Sequence, residues 1–172
     1  MAAGVATVIG KPMGHALASV SQDMTVVDTT QRNALGMMVQ DDLGNEYVYA
    51  QGIGSTVAGS WVFLTNATGQ YITQLSIITG ALGGRVGVAL AAVLASQFGW
   101  YAIKHTFVFG LCISDTFLVN SGCFLTSTAG SVDDESGGAG TTIYGAVNRT
   151  LGTTTSSNFD ICYPYVTSID AA

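Results

Sequence analysis

Two histidines are the side chains in this sequence best suited to proton transfer, because an imidazole titrates near neutral pH. His15 lies between a glycine and an alanine near the start of the chain, and His105 lies between Lys104 and Thr106. The sequence contains no GxSxG nucleophile motif, no Cys-His family signature and no HExxH metal-binding motif. We therefore expect one surface histidine and one histidine on a strand face, with no catalytic residue.

Three cysteines are the next candidates for chemistry. Cys112, Cys123 and Cys162 are odd in number and widely spaced, and no CxxC pair is present. A structural zinc site needs more ligands at closer spacing. Because a free cysteine behaves as a small apolar residue, we expect three buried thiols rather than a disulfide.

An acidic run, Asp133, Asp134 and Glu135, offers the carboxylate oxygens that calcium prefers. It lacks the alternating D-x-D-x-D spacing of a known calcium loop, so a solvated acidic turn is the favoured interpretation. The glycine-rich residues 80–84 are followed by no Lys-Ser or Lys-Thr pair, which excludes a phosphate-binding loop. The sequence therefore predicts no enzyme activity, no metal and no cofactor.

The composition limits the classes of partner. Charged residues make up 9% of the chain, where a typical soluble domain has roughly 25%. The net charge is -6 and the five cations are isolated from one another, which excludes the clustered cations of a nucleic-acid-binding protein. An uncharged polar surface costs little to desolvate when another protein covers it. The composition favours an assembly subunit, with an extracellular β-protein as the alternative.

The most apolar stretch covers residues 86–103, which are 18 residues without a charge. That length is near the lower limit for a membrane-spanning helix. Ser96 and Gln97 interrupt it, and its aromatic, β-branched second half is typical of a strand. We expect two elements joined by a short turn at residues 95–99, and no membrane association. The first residues show no basic start followed by an apolar core, so no signal peptide is expected.

Residues 1–34 differ from the rest of the chain, with scattered Gly and Pro and no sustained periodicity. We interpret them as an extended N-terminal arm, ordered mainly by what it lies against. Apolar residues in this arm argue against a plain disordered tail, since solvated tails are usually charged. As contacts with a larger assembly or with another subunit we select Val8, Met13, Val26 and Val27.

Residues 35–172 form the second unit, a series of short strands separated by turns. This spacing predicts an all-β domain, a small β-barrel or β-sandwich of about nine or ten short strands. Residues 91–96 are expected to form a turn or a single helical turn, and residues 133–138 an acidic loop. The predicted strand segments are 35–40, 46–51, 61–64, 71–73, 76–79, 85–90, 99–109, 111–114, 117–119, 123–127, 142–147 and 158–166.

Two blocks of sequence resemble the small decoration (cement) proteins of tailed-phage capsids. Residues 42–50, DLGNEYVYA, are similar to the D-x-G-N-E-[YF]-x-Y strand pair of small phage head proteins. Residues 84–101 resemble the G-x-V-G-V-A-x-A-A pattern of that family, followed by F/Y-G-W. The closing residues 161–166, ICYPYV, also fit.

The resemblance implies a structural virion protein on the outer surface of an icosahedral phage capsid. Such proteins bridge neighbouring copies of the major capsid protein, often as homotrimers, and stabilise the shell against internal pressure. An arm and exposed strand edges suit this role, because both can add to a neighbour's sheet through main-chain hydrogen bonds.

Two other functions remain open at this point. A surface-displayed carbohydrate- or host-binding module would use Trp61, Trp100 and Tyr101 as stacking platforms, although core packing is the commoner role of such residues. A membrane-embedded or pilin-like protein would rest on residues 86–103 alone. Exposed aromatic residues gathered on one patch would favour the binding module.

Overall fold

A computed structural model describes residues 5–7, 21–66, 69–77, 83–113, 117–134, 142–152 and 155–167. Within these residues the protein is all-β, with no helix, as predicted. The twelve strands are β1 (Val5–Thr7), β2 (Ser21–Asp23), β3 (Met38–Gln40), β4 (Glu46–Gln51), β5 (Trp61–Asn66), β6 (Gly69–Leu75), β7 (Gly84–Ala89), β8 (Phe98–Leu111), β9 (Gly122–Leu125), β10 (Val132–Asp133), β11 (Thr142–Asn148) and β12 (Ser156–Val166).

Ten of these strands form one sheet in the order β10-β9-β11-β12-β8-β7-β5-β6-β4-β3. A second pairing of β4 with β8 closes β4, β8, β7, β5 and β6 partly into a ring. The 14-residue strand β8 makes this closure possible, because its first half pairs with β4 and its second half pairs with β12. The predicted small β-barrel or β-sandwich is confirmed.

Both faces of the central strands are buried, which explains their continuous apolar sequence. Successive side chains of a strand point to opposite faces, and in β4 Tyr47 and Tyr49 join one core cluster while Val48 and Ala50 join another. The strands β5, β7 and β8 alternate in the same way. The larger cluster also contains the inward side chains of β9, β11 and β12.

The uncharged stretch 86–103 is divided between β7 and β8, with a turn at residues 95–96. The expected pair of elements joined by a turn is confirmed for this stretch. The described residues contain no helix with the length and apolarity that crossing a membrane requires.

Several predicted strand boundaries were wrong for identifiable reasons. The strand expected over residues 35–40 begins only at Met38, because Gly36 adopts φ +81° in a turn. No break separates residue 109 from Leu111, which is the last residue of β8. Residues 117–119 form a loop rather than a strand. Asp133, expected in an acidic loop, lies in β10.

Part of the predicted arm packs against the body. Met24 belongs to the larger core cluster, and Asp28 exchanges backbone hydrogen bonds of 2.8 Å with Phe98 in both directions. The Asp28 carboxylate also accepts a hydrogen bond from Tyr49 and forms an ion pair with Arg32. Nearer the N-terminus, β1 and β2 form a separate two-stranded sheet. The division of the chain at residue 34 stays a prediction.

Candidate functional site

His105 lies half-buried in β8, with its ring edge-on to Tyr47 at a centroid distance of 5.8 Å. Its Nδ1 lies 2.6 Å from the Thr106 carbonyl oxygen, so Nδ1 carries the hydrogen and donates it. Burial lowers the pKa of His105 below its ordinary value, which keeps the ring neutral at pH 7. His15 lies outside the described residues.

A groove of about 580 Å³ runs beside His105. Two charged groups of its lining pair with each other: Arg149 Nε lies 2.6 Å from Asp160 Oδ2. Asp160 Oδ1 also accepts the Phe107 N–H at 3.0 Å. Phe107 adopts φ +59° where the register of β8 and β12 shifts, so Asp160 holds a β-bulge. The carboxylate of Asp160 therefore has a structural role in this groove.

A second polar cluster links three strands. Lys104 Nζ lies 3.0 Å from Glu46 Oε1, and the Tyr163 hydroxyl donates to Glu46 Oε2. The hydrogen bond from Tyr163 is the main reason why the pKa of Glu46 is lowered, with Lys104 contributing in the same direction against burial. The cluster attaches the irregular end of β12 to β4 and β8.

The cysteines differ from the prediction at one position. Cys112 and Cys123 are buried free thiols, as expected, whereas Cys162 is exposed. In β12 the side chains of Ser157, Phe159 and Ile161 are buried, so alternation places Cys162 outward, and a bulge then turns the next residue, Tyr163, outward as well. Burial raises the pKa of Cys123, so that thiol stays protonated.

The acidic run has a local structural role where the structure describes it. Asp134 Oδ2 accepts the Leu118 N–H at 2.6 Å, and Asp133 Oδ1 accepts the Asp134 N–H at 2.8 Å. Glu135 lies outside the described residues. Among the described residues, no group of three or more His, Cys, Asp or Glu side chains is placed to hold a metal ion.

The three aromatic residues proposed as stacking platforms are core residues. Trp61, Trp100 and Tyr101 are all buried, which removes them from any binding surface. Other aromatic side chains are exposed, and no role in binding was predicted for them from the sequence. Tyr144 and Tyr165 face each other across β11 and β12 with centroids 5.2 Å apart and planes at 20°, and Tyr163 is exposed nearby along β12.

An apolar tip, defined as Leu118, Val119 and Leu151, lies on two adjacent loops. These side chains are 61%, 48% and 66% exposed, respectively. Large apolar residues at such exposure on neighbouring loops are typical of a surface that contacts another protein. The sequence signal for this surface is weak, because residues 117–119 look like an apolar strand.

Asn148, a fully buried residue of β11, holds this tip in place. Its Nδ2 lies 3.2, 2.9 and 2.6 Å from the carbonyl oxygens of Phe117, Leu118 and Thr150, respectively. Its Oδ1 accepts a hydrogen bond of 2.6 Å from the Ser157 hydroxyl. One side chain therefore joins both loops of the tip to the sheet.

The predicted contact residues are distributed differently. Val26 is 45% exposed, whereas Val27 is half-buried against the smaller core cluster. Val8 and Met13 lie outside the described residues. The role of all four in an interface stays a prediction.

Comparisons of the chain with protein-family models, with curated proteins and with solved structures found no match.

Proposed function

We propose that this chain is a structural virion protein that decorates the outer surface of an icosahedral phage capsid and stabilises it by bridging major capsid subunits. The apolar tip is the observation that carries the proposal, and the sequence resemblance to decoration proteins supplies the partner. The low charge of the chain supports it, because few charges lose their hydration when a partner covers the surface.

The tip suits a repeated contact of modest strength. Full burial of a leucine or valine side chain contributes about 1.5–3 kcal/mol. Because Leu118, Val119 and Leu151 are already partly covered, each would add roughly half of that on docking, or about 3 kcal/mol together. In a homotrimer that contacts three capsid subunits at once, the first contact raises the effective concentration for the other two, so the overall affinity exceeds that of a single contact.

Asn148 adds preorganisation to the contact. Loops that become ordered only on binding lose affinity through conformational entropy. Here both loops are already joined to the sheet by the hydrogen bonds of one buried amide. The tip therefore meets its partner with little ordering cost.

Co-sedimentation with empty tailed-phage capsids from the same source tests the proposal. We expect saturable binding in a fixed ratio to the capsid subunit, and loss of that binding in the double variant Leu118→Asp/Leu151→Asp. The control is Leu94→Asp, since Leu94 is 47% exposed in a separate turn. Thermal unfolding of each variant checks whether the body stays folded.

Two outcomes count against this reasoning. If the folded wild-type protein does not sediment with any shell, the decoration function is wrong. If the double variant binds as well as the wild type, the tip is not the contact. The arm is then tested by Val26→Asp alone, because Val27→Asp would also place a charge against the smaller core cluster.

A further inference from the structure

Two tyrosines with unusual backbone conformations line the same hollow. Tyr71 in β6 and Tyr163 in β12 adopt φ +57° and +47°, respectively, which is uncommon for bulky residues and costs energy. Both contribute to an apolar hollow of about 20 Å³ at the mouth of the smaller core cluster. Strained residues of this kind gather at ligand sites, where the surrounding structure holds them in position.

The Tyr71 ring occupies space that is free because residue 36 is a glycine. Gly36 stands so close that a Cβ there would lie 2.4 Å from the Tyr71 ring. Gly36 also adopts φ +81°, which other residues rarely tolerate. A turn far away in sequence is therefore shaped to accept this ring.

Arg85 lies between the apolar hollow and a larger, polar hollow. The polar hollow has a volume of about 360 Å³, near the lower end of small-ligand sites. Its lining includes Thr65, Gln70 and Tyr71, whose hydroxyl and amide groups can donate and accept hydrogen bonds. Arg85 lines both hollows.

Arg85 differs from the other cations that the structure describes. Arg32, Lys104 and Arg149 each form an ion pair within the chain. No acidic group of the described residues pairs with Arg85, although the chain carries a net charge of -6. An exposed guanidinium offers a planar pair of donors that matches a carboxylate, so the site is complementary to an acidic ligand.

Arg85 also continues the row of exposed tyrosines. The register places Tyr165 opposite Arg85 on β7 and Tyr144 opposite Tyr165 on β11. Tyr144 and Tyr165 are 45% and 46% exposed, respectively. Exposed aromatic rings beside a donor-rich polar hollow form the combination that a sugar needs, since a pyranose has one apolar face and a rim of hydroxyl groups.

We propose that this face binds an acidic sugar, a uronic or sialic acid unit of a glycan. Arg85 pairs with the sugar carboxylate, Thr65 and Gln70 contact hydroxyl groups, and Tyr165 contacts the apolar face of the ring. The concave polar hollow favours a sugar over an acidic peptide, which would need a longer open groove. The site goes beyond the capsid contact and does not depend on it, because it lies on different residues from the apolar tip.

NMR titration of the isotope-labelled full chain with glucuronate and with N-acetylneuraminate tests the proposal. We expect saturable shifts at the amides of Arg85, Gln70 and Tyr165, with glucose and acetate each binding about tenfold more weakly than the acidic sugars. Arg85→Gln should weaken binding by about tenfold or more, since a charge-assisted hydrogen bond is lost. Arg149→Gln is the matched control, because that arginine is paired with Asp160.

Three results would overturn the proposal. Acetate binding as tightly as glucuronate would mean that the site recognises a carboxylate alone. Binding of an Asp/Glu-rich peptide without binding of either sugar would mean that the ligand is a protein segment. Equal sugar affinity in Arg85→Gln and in the wild type would mean that Arg85 is not the recognition group. The titration uses the isolated protein, so failure of capsid binding cannot be mistaken for any of these results.

Discussion

Replacement of Asn148 by alanine tests how the loops of the apolar tip are held. The Asn148 amide provides two hydrogens, shared among three carbonyl oxygens at 2.6 to 3.2 Å, and its oxygen accepts one further bond from Ser157. Two donated bonds and one accepted bond at about 1 kcal/mol each give a loss of about 3 kcal/mol. For a domain of this size, that loss lowers the Tm by roughly 6–12 °C.

The measurement is urea unfolding of Asn148→Ala beside Asn158→Ala. Asn158 is half-buried, and its side-chain amide makes one long contact of 3.5 Å to Thr150 Oγ1. We expect Asn158→Ala to lose less than about 1 kcal/mol. Hydrogen exchange should also accelerate at residues 117–121 in Asn148→Ala, because the loop loses its anchor.

One result would refute this reasoning about Asn148. If both variants lose the same small free energy of unfolding, water replaces the amide at the three carbonyl groups. The Asn148 amide would then not be what holds the two loops in place, and it would not preorganise the tip for the capsid contact.

Three further predictions concern the irregular part of the sheet, the thiols and the response to acid. Gly145→Ala should destabilise the protein by at least about 2 kcal/mol in urea unfolding, because Gly145 has φ +78° and its Cβ would lie 2.5 Å from the Cys162 carbonyl oxygen. Gly44 has φ +81° and open space around it, so Gly44→Ala should lower the free energy of unfolding by only about 1 kcal/mol. Equal losses of stability in the two variants would contradict the close approach of residue 145 to the Cys162 carbonyl oxygen. A colorimetric thiol reagent should modify Cys162 alone in the native protein and all three cysteines in urea, and rapid native modification of a second thiol would show that the core opens. Burial opposes ionisation of Asp41, but hydrogen bonds from Asn45, Tyr47 and two backbone N–H groups lower the pKa of Asp41 below 3.8. The ionised Asp41 therefore stabilises the folded state above pH 3.8, the ordinary pKa of an aspartate, and this contribution is lost as the pH falls through the lowered pKa. Unfolding midpoints measured from pH 7 to pH 2.5 should fall less steeply in Asp41→Asn, and parallel curves would rule out this role of Asp41.

The sequence alone determined the fold class and much of the core. The aromatic and β-branched content of EYVYAQ predicts β4 with the bounds that the structure has, because strand propensity is a local property of the chain. The aromatic, β-branched content of β8 likewise indicated the longest strand. The turn at residues 41–45 was also predictable, since the Asp41 carboxylate accepts the hydrogen bonds that such a turn requires.

Bulges and long-range register were decided only by the tertiary structure. A bulge around Tyr163, opposite Gly145, moves the exposed face of β12 by one residue. It turns Tyr163 outward directly after Cys162 and carries Tyr165 to the surface opposite Arg85. No local pattern marks such a shift, because it depends on what the neighbouring strands leave room for.

The candidate sites were beyond sequence reasoning for the same physical reason. The site around Arg85 combines β5, β6, β7, β11 and β12, and the apolar tip joins two loops about 30 positions apart in the chain through Asn148. Composition and periodicity report which residues are apolar and how they alternate. They carry no information on which distant residues meet, because that depends on how the whole set of strands packs around a shared core.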